Sequence, residues 1–185
     1  MTNQTFTGSE PTWANACVGE NGSPNYIQYS KGYSKAANLL LNNVLNTRGK
    51  EVDLYIYPIC FNMRHSIELR IKGGIQEISE LARIKKKNQP SFDLISSHDI
   101  GNIWSYFKTN SEILDIRFKT LNDKLDATIV DMAEIDSTGQ TFRYPLNNEN
   151  KKHLVDQKII NCAILKIKFN ELEKHLDDLI LLTDL

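Results

Sequence analysis

The sequence has few cysteines and no long apolar run. Its three cysteines, an odd number without a CxxC pair, argue against a disulfide framework and against a zinc site built from cysteines alone. No apolar stretch reaches the roughly 20 residues that cross a bilayer, and the polar first residues lack the apolar core of a signal peptide. We therefore expect a cytoplasmic protein without a membrane segment.

Several catalytic signatures are missing as well. The sequence contains no glycine-rich phosphate loop, no nucleophile elbow, no HExxH zinc pattern and no EF-hand loop. The net charge is −1, from 22 basic and 23 acidic residues, which weakens the case for a basic coat over the whole surface. A local basic groove remains compatible with this balance, because the position of charges matters more than their sum.

Apolar residues at helical spacing are what the sequence does contain. They predict four long helices, over 26–46, 52–85, 111–135 and 150–182. A short helix is expected after Ser96 or Ser97, either of which suits the N-cap. No segment shows the period-two alternation of a strand. With 185 residues the chain fits one domain. We expect an irregular arm over 1–25 and an all-α domain over 26–185, an up-and-down bundle of four long helices and one short helix.

One stretch of the second helix, residues 64–72, places five ionisable groups within nine residues. Arg64 and Glu68 are four residues apart, as are Glu68 and Lys72, and His65 precedes Glu68 by three, so these side chains share a helix face. Charge is costly to remove from water unless it is paired. One interpretation is an ion-pair face in solvent. The other is a functional groove, in which arginine holds a phosphate and histidine moves a proton.

Two later segments carry further polar side chains. His98 and Asp99 stand near the start of the predicted short helix, where Asp99 in the first turn suits the helix dipole and His98 suits capping, packing or catalysis. Arg143 lies in a loop between two aromatic residues, the second of which is Tyr144. An arginine displayed in this way suits an anion, and a carboxylate of this chain is an equal alternative. His153 follows ten residues later and could turn toward Arg143.

Together these segments resemble the HEPN domains (higher eukaryotes and prokaryotes nucleotide-binding). Residues 65–72 match the HxxExxxK pattern of one HEPN helix. Residues 97–100 are similar to the start of the next helix in that family, and residues 142–145 are similar to the Arg-Tyr-Pro that precedes the last helix. The resemblance covers roughly residues 26–182.

The resemblance implies a bundle of four or five helices that pairs as a homodimer. Many members of the family are metal-independent ribonucleases of toxin or anti-phage systems, in which histidine assists attack of the ribose 2′-hydroxyl and arginine steadies the phosphate. Their RxxxxH-type motif has four to six residues between arginine and histidine, and no arginine of this sequence is followed by a histidine at that distance. Members without the motif act as nucleotide-binding, assembly or partner-binding modules.

The leading hypothesis is an HEPN-like, RNA- or nucleotide-directed protein of a prokaryotic toxin or anti-phage defence system, with ribonuclease activity as one version. The alternative is a non-catalytic HEPN-like module for nucleotide binding, dimerisation or partner assembly. The candidate catalytic residues are His65, His98 and His153. The candidate phosphate-binding residues are Arg64, Lys72, Arg143 and Tyr144, and the supporting residues are Glu68 and Asp99. The implied partners are a second copy, RNA or a nucleotide, and a cognate defence or antitoxin protein. Neither a cofactor nor a metal is predicted.

Overall fold

The computed structural model of this protein describes residues 4–22 and 24–183. Its α-helices are α1 (Tyr26–Asn46), α2 (Val52–Ile84), α3 (Ile100–Leu114), α4 (Arg117–Asp136) and α5 (Cys162–Leu181). These described residues contain no β-strand. The prediction of an all-α bundle with four long helices and one short helix is confirmed, and α3 is the short one.

The helices pack in chain order around one apolar core. Each of α1 to α4 contacts the helix that follows it, and α5 also returns to α1 and α2. The largest buried apolar side chains of the core include Ile67 of α2, Phe107 of α3, Phe118 of α4 and Phe169 of α5. At 33 residues α2 is the longest helix, and it contacts α1, α3 and α5. Side chains on α2 can therefore reach several parts of the chain.

Two adjacent glycines in the middle of α2 allow its neighbours to approach closely. A Cβ added at Gly73 would lie 2.6 Å from Cγ1 of Ile27, in the first turn of α1. At Gly74 it would lie 2.9 Å from Cε2 of Phe107 in α3. Both distances are shorter than any normal carbon contact, so the close packing of α1 and α3 on α2 depends on these two glycines.

The prediction for the start of the last helix is wrong. The structure begins α5 at Cys162, and Asn161 is its N-cap. The Asn161 side chain accepts hydrogen bonds from the backbone N–H groups of Ala163 at 2.9 Å and Ile164 at 3.2 Å. Residues 150–161, which the apolar spacing assigned to this helix, instead form an irregular segment that we call the strap.

The reason for this difference lies in a lysine. A helix continued backwards from α5 would place Lys158 on the buried face, because it stands eleven residues, or about three turns, before the buried Phe169. Burying an unpaired ammonium there would be costly. Val155 and Ile159, whose spacing indicated a helix, are 72% and 82% exposed in the strap.

The starts of α3 and α4 also differ from the prediction. Asp99, rather than Ser96 or Ser97, is the N-cap of α3, and its side chain accepts a hydrogen bond from the backbone N–H of Asn102 at 2.9 Å. The predicted helix from residue 111 is divided, since its first four residues complete α3 and α4 begins at Arg117.

Outside the bundle, the described residues 4–22 contain one 3₁₀ turn, Thr12–Ala14, and all of them are exposed to solvent. None of the helices within the described ranges combines the length and apolar character that a bilayer crossing requires.

Candidate functional site

Two rows of side chains on α2 organise the candidate site. The charged row consists of Arg64, Glu68 and Lys72. The aromatic row consists of Tyr57, Phe61 and His65. Within each row the residues are four apart, so they stack along one side of the helix. A helix turns by about 100° per residue, so the two rows point toward different surroundings.

The charged row is buried. Glu68 forms an ion pair with the guanidinium of Arg64 and a second one, 2.9 Å long, with Nζ of Lys72. Arg64 is 2% exposed, and Glu68 and Lys72 are each 3% exposed. The interpretation as an ion-pair face was correct about the pairing but wrong about its place, because these charges lie inside the protein.

Other donors of the Arg64 guanidinium form hydrogen bonds to backbone carbonyl groups. Its Nε donates to the carbonyl of Asp136 at 3.1 Å, at the end of α4. Its Nη2 donates to the carbonyls of Ser137 at 2.7 Å and His98 at 2.5 Å. The last carbonyls of a helix have no partners within the helix, and Arg64 satisfies such groups here. Arg64 therefore joins α2, α4 and the start of α3, and it keeps no free pair of donors for a phosphate.

Glu68 is the centre of this cluster. Its Oε1 lies 3.2 Å from Nδ1 of His98, whose imidazole is 62% exposed. Burial acts to raise the pKa of Glu68, but the hydrogen bond from Lys72 and the charge of Arg64 outweigh it, so the pKa lies below its ordinary value. Glu68 is thus ionised at neutral pH and holds His98 at the outer edge of the cluster.

The aromatic row contains a neutral histidine. The His65 ring stacks on Phe61, with centroids 5.7 Å apart and an interplanar angle of 8°, and meets the edge of Tyr33 of α1 at 4.5 Å. Burial lowers the pKa of His65; Glu68 opposes the shift, and the surrounding cations reinforce it. The imidazole is therefore uncharged at neutral pH.

Arg143 lies against Phe61 of the aromatic row. Its Cζ is 6.0 Å from the ring centroid of Phe61 and 5.0 Å from that of Tyr144, distances at which a cation is attracted by an aromatic face. Nη2 of Arg143 donates a hydrogen bond to the Tyr144 hydroxyl at 2.9 Å. No ion pair joins Arg143 to a carboxylate within the described part of the chain. This exposed guanidinium is free to take an anion.

A cleft of about 500 Å³ opens beside Arg143, and we call it the Arg143 cleft. Tyr57, Tyr144, Lys152 and His153 line it together with Arg143, and no acidic residue does. Nε2 of His153 is buried there without a hydrogen-bond partner among the described residues. Two cations, an imidazole and two phenol rings thus meet without a carboxylate. Such a surface suits an anionic ligand that also carries an aromatic ring.

The structure brings together only part of the predicted site. Three predicted residues, Arg143, Tyr144 and His153, share the Arg143 cleft. His65 stacks on Phe61 and does not line this cleft. The other predicted residues belong to the buried cluster or its edge, namely Arg64, Glu68, Lys72, His98 and Asp99. The three histidines therefore do not line a common cleft.

Sequence analysis missed three residues of this site: Tyr57, Phe61 and Lys152. The signal for the first two was present, because Tyr57 stands eight residues and Phe61 four residues before His65 on a helix that was predicted correctly. Lys152 gave no such signal, since it reaches the cleft only through the irregular course of the strap.

Within the described ranges, no three histidine, cysteine, aspartate or glutamate side chains are grouped as a metal site requires. Comparison with protein-family models, with curated proteins and with solved structures finds no match to this chain.

Proposed function

We propose that this chain is an HEPN-like protein of a prokaryotic toxin or anti-phage defence system that binds RNA or a nucleotide in the Arg143 cleft. The observation that carries the proposal is the Arg143 guanidinium, which is exposed, flanked by aromatic rings and free of any carboxylate partner in the described chain. The HEPN part of the proposal is supported by the residue patterns at 65–72, 97–100 and 142–145.

The chemistry of the cleft fits the two parts of a nucleotide. A guanidinium presents paired N–H donors to phosphate oxygens, and Lys152 adds a second positive charge. Unstacked bases bind to proteins by stacking on aromatic rings, which Tyr57 and Tyr144 offer at the cleft wall. A cleft of about 500 Å³ is of the size that holds a small ligand. It would hold one nucleotide, free or extended from an RNA strand.

The geometry favours binding over catalysis. The carboxylate of Glu68 pairs with Arg64, and the other donors of Arg64 bind backbone carbonyl groups. No residue of the charged row lines the Arg143 cleft. The homodimer and the cognate defence or antitoxin protein that the HEPN resemblance implies are part of this proposal, as a non-catalytic module would act through such partners.

A ribonuclease version is the second candidate, and one observation favours it. The lowered pKa of His65 keeps its imidazole neutral near pH 7, which is the form that accepts a proton from a hydroxyl group. The Arg143 guanidinium lies 6.0 Å from the centroid of the Phe61 ring on which His65 stacks, so an arginine stands near this histidine.

Binding can be tested with two probes, a labelled single-stranded RNA of about 12 nucleotides and AMP. We expect Arg143→Ala to weaken binding of at least one probe by about tenfold or more, since a charge-assisted pair is lost. Arg143→Lys should restore binding only in part, because lysine lacks the planar fork. The matched control is Arg83→Ala, which removes an exposed arginine at the end of α2. Equal binding by the Arg143 and Arg83 variants would contradict the proposal.

The ribonuclease version needs a separate assay. Pure protein is incubated with total RNA and with tRNA, and the products are resolved on a denaturing gel. Cleavage that disappears in His65→Ala, His98→Ala or His153→Ala would establish catalysis. The absence of cleavage in the wild-type protein would reject the ribonuclease and leave the binding module.

A further inference from the structure

The middle of the strap makes few bonds of its own. Residues 154–160 form no backbone–backbone hydrogen bond in the described structure, whereas the start of the strap is held by the bond from the Asn147 N–H to the Lys151 carbonyl at 2.9 Å and by the isolated β-bridge between Leu146 and Lys152. The side-chain amide of Gln157 donates to the carbonyl of Ile159 at 2.6 Å, which is a bond within the strap. Segments with few internal bonds open easily, and binding lids are drawn from such segments.

Two apolar side chains of the strap are largely exposed although clefts adjoin this segment. Val155 and Ile159 are both largely exposed. Two clefts, of about 410 and 430 Å³, adjoin residues 157–160. Both clefts are lined by Phe142, Gln157, Ile159 and Ile160. Ile159 therefore borders both clefts while most of its side chain remains in solvent.

The strap also borders the Arg143 cleft. His153 and Leu154 line that cleft, and Leu154 lines one of the two apolar clefts as well. Leu154 has a φ of 55° and Asn150 has a φ of 58°. Left-handed backbone is common for asparagine but rare for a branched residue such as leucine, and such residues concentrate where a segment switches conformation.

We propose that the strap, residues 150–161, is a lid over the Arg143 cleft. It turns at Asn150 and Leu154, closes when an anionic ligand binds Arg143, and buries more of the side chains of Val155 and Ile159. This inference rests on the proposed function, because the ligand of the Arg143 cleft is what drives closure.

The ligand can drive closure because part of its contact belongs to the moving segment. His153 is in the strap, whereas Arg143 lies before it, so a ligand that contacts both residues binds the closed form more tightly. Burial of the exposed side chains of Val155 and Ile159 acts in the same direction. Closure also removes the bound phosphate from water, which strengthens its interaction with the guanidinium.

Hydrogen exchange of the full chain tests the lid, with the same two probes, the RNA and AMP. We expect the amides of residues 153–160 to exchange at least about fivefold more slowly when the probe is bound, whereas those of the 47–51 turn stay unchanged. Ile159→Ser should abolish this protection and speed dissociation of the probe by several-fold. Ile113→Ser is the matched control, since Ile113 of α3 is 65% exposed and lines none of the three clefts.

The outcomes separate the lid from the proposed function. Binding that depends on Arg143 without any change in strap exchange would overturn the lid and leave the binding site intact. Identical behaviour of the Ile159 and Ile113 variants would also overturn the lid. If neither probe binds, both the proposed function and the lid are overturned.

Discussion

Removal of the Glu68 carboxylate should be the most damaging change in the charged row. In Glu68→Ala the guanidinium of Arg64 and the ammonium of Lys72 would stay buried, at 2% and 3% exposure, without their shared counter-charge. His98 would also lose its partner at the edge of the cluster. Breaking a buried ion pair by removing one partner costs about 3–5 kcal/mol, because it leaves a charge uncompensated.

This cost can be measured by urea and thermal denaturation. For a chain of this size, each 1 kcal/mol corresponds to roughly 2–4 °C in Tm, so the Tm of Glu68→Ala should fall by about 6–20 °C. The control is Glu80→Ala, which removes a carboxylate of α2 that pairs with Arg83 on the exposed surface. A solvent-exposed pair contributes little to stability, so the control should change Tm only slightly.

The pH dependence gives a second measurement on the same variant. Because the folded-state pKa of Glu68 is lowered, its ionised form contributes stability that is complete above the unfolded pKa of about 4.3 and is lost as the pH falls through the folded pKa. The difference in Tm between wild type and Glu68→Ala should therefore shrink below about pH 4. A loss below 1 kcal/mol at pH 7, or a loss equal to that of Glu80→Ala, would refute the reasoning.

Three further predictions concern other parts of the bundle. The pKa of His65, followed by NMR, should lie below the ordinary value of about 6.5 because burial lowers it. Protonation should therefore reduce stability as the pH falls below that value, and His65→Phe should remove this component of the pH dependence of Tm. Gly74→Ala should destabilise the protein by about 1–3 kcal/mol, since the new Cβ meets a buried phenylalanine ring, whereas Gly32→Ala in α1, with nothing within 4 Å, should stabilise it by about 0.5–1 kcal/mol; equal effects in chemical denaturation would contradict the packing argument. With a thiol reagent such as Ellman's reagent, Cys17 should react rapidly because it is exposed, and Cys60 should not react in the folded state because burial raises its pKa to about 12.

The sequence alone predicted a helix correctly where the local spacing of apolar residues agrees with the packing of the folded chain. Most apolar residues of α2, from Ile59 to Ala82, recur at threes and fours and are buried, and the bounds of this helix were predicted within one residue. The prediction of a helix over the strap failed because the two disagree there. Val155 and Ile159 have helical spacing, but Lys158 would enter the core if α5 were extended, and one charged residue outweighed the apolar pattern.

The ion pairs of the charged row were predictable from the sequence, but their burial was not. The i,i+4 spacing of Arg64, Glu68 and Lys72 indicated ion pairs, and the ion pairs from Glu68 are present. That spacing is the same on a solvent face and in a core, so it carries no information on burial. Burial is decided by carbonyl groups at residues 98, 136 and 137, which reach Arg64 only after α3 and α4 have packed. Similarly, Arg143 and Tyr144 were identified from their loop, but the clustering of Tyr57 and Lys152 around them depends on tertiary packing.

The carbonyl bonds of Arg64 have a consequence for interpreting ligand assays. They fix residues 136 and 137, the Asp136 carboxylate then accepts a hydrogen bond from the Thr141 N–H at 3.0 Å, and Arg143 follows two residues later. The position of Arg143 in the cleft therefore depends on the buried hydrogen bonds of Arg64, through residues 136–143. An Arg64 variant that no longer binds a ligand would report a displaced loop, and a folding measurement must accompany it before Arg64 is counted as a contact.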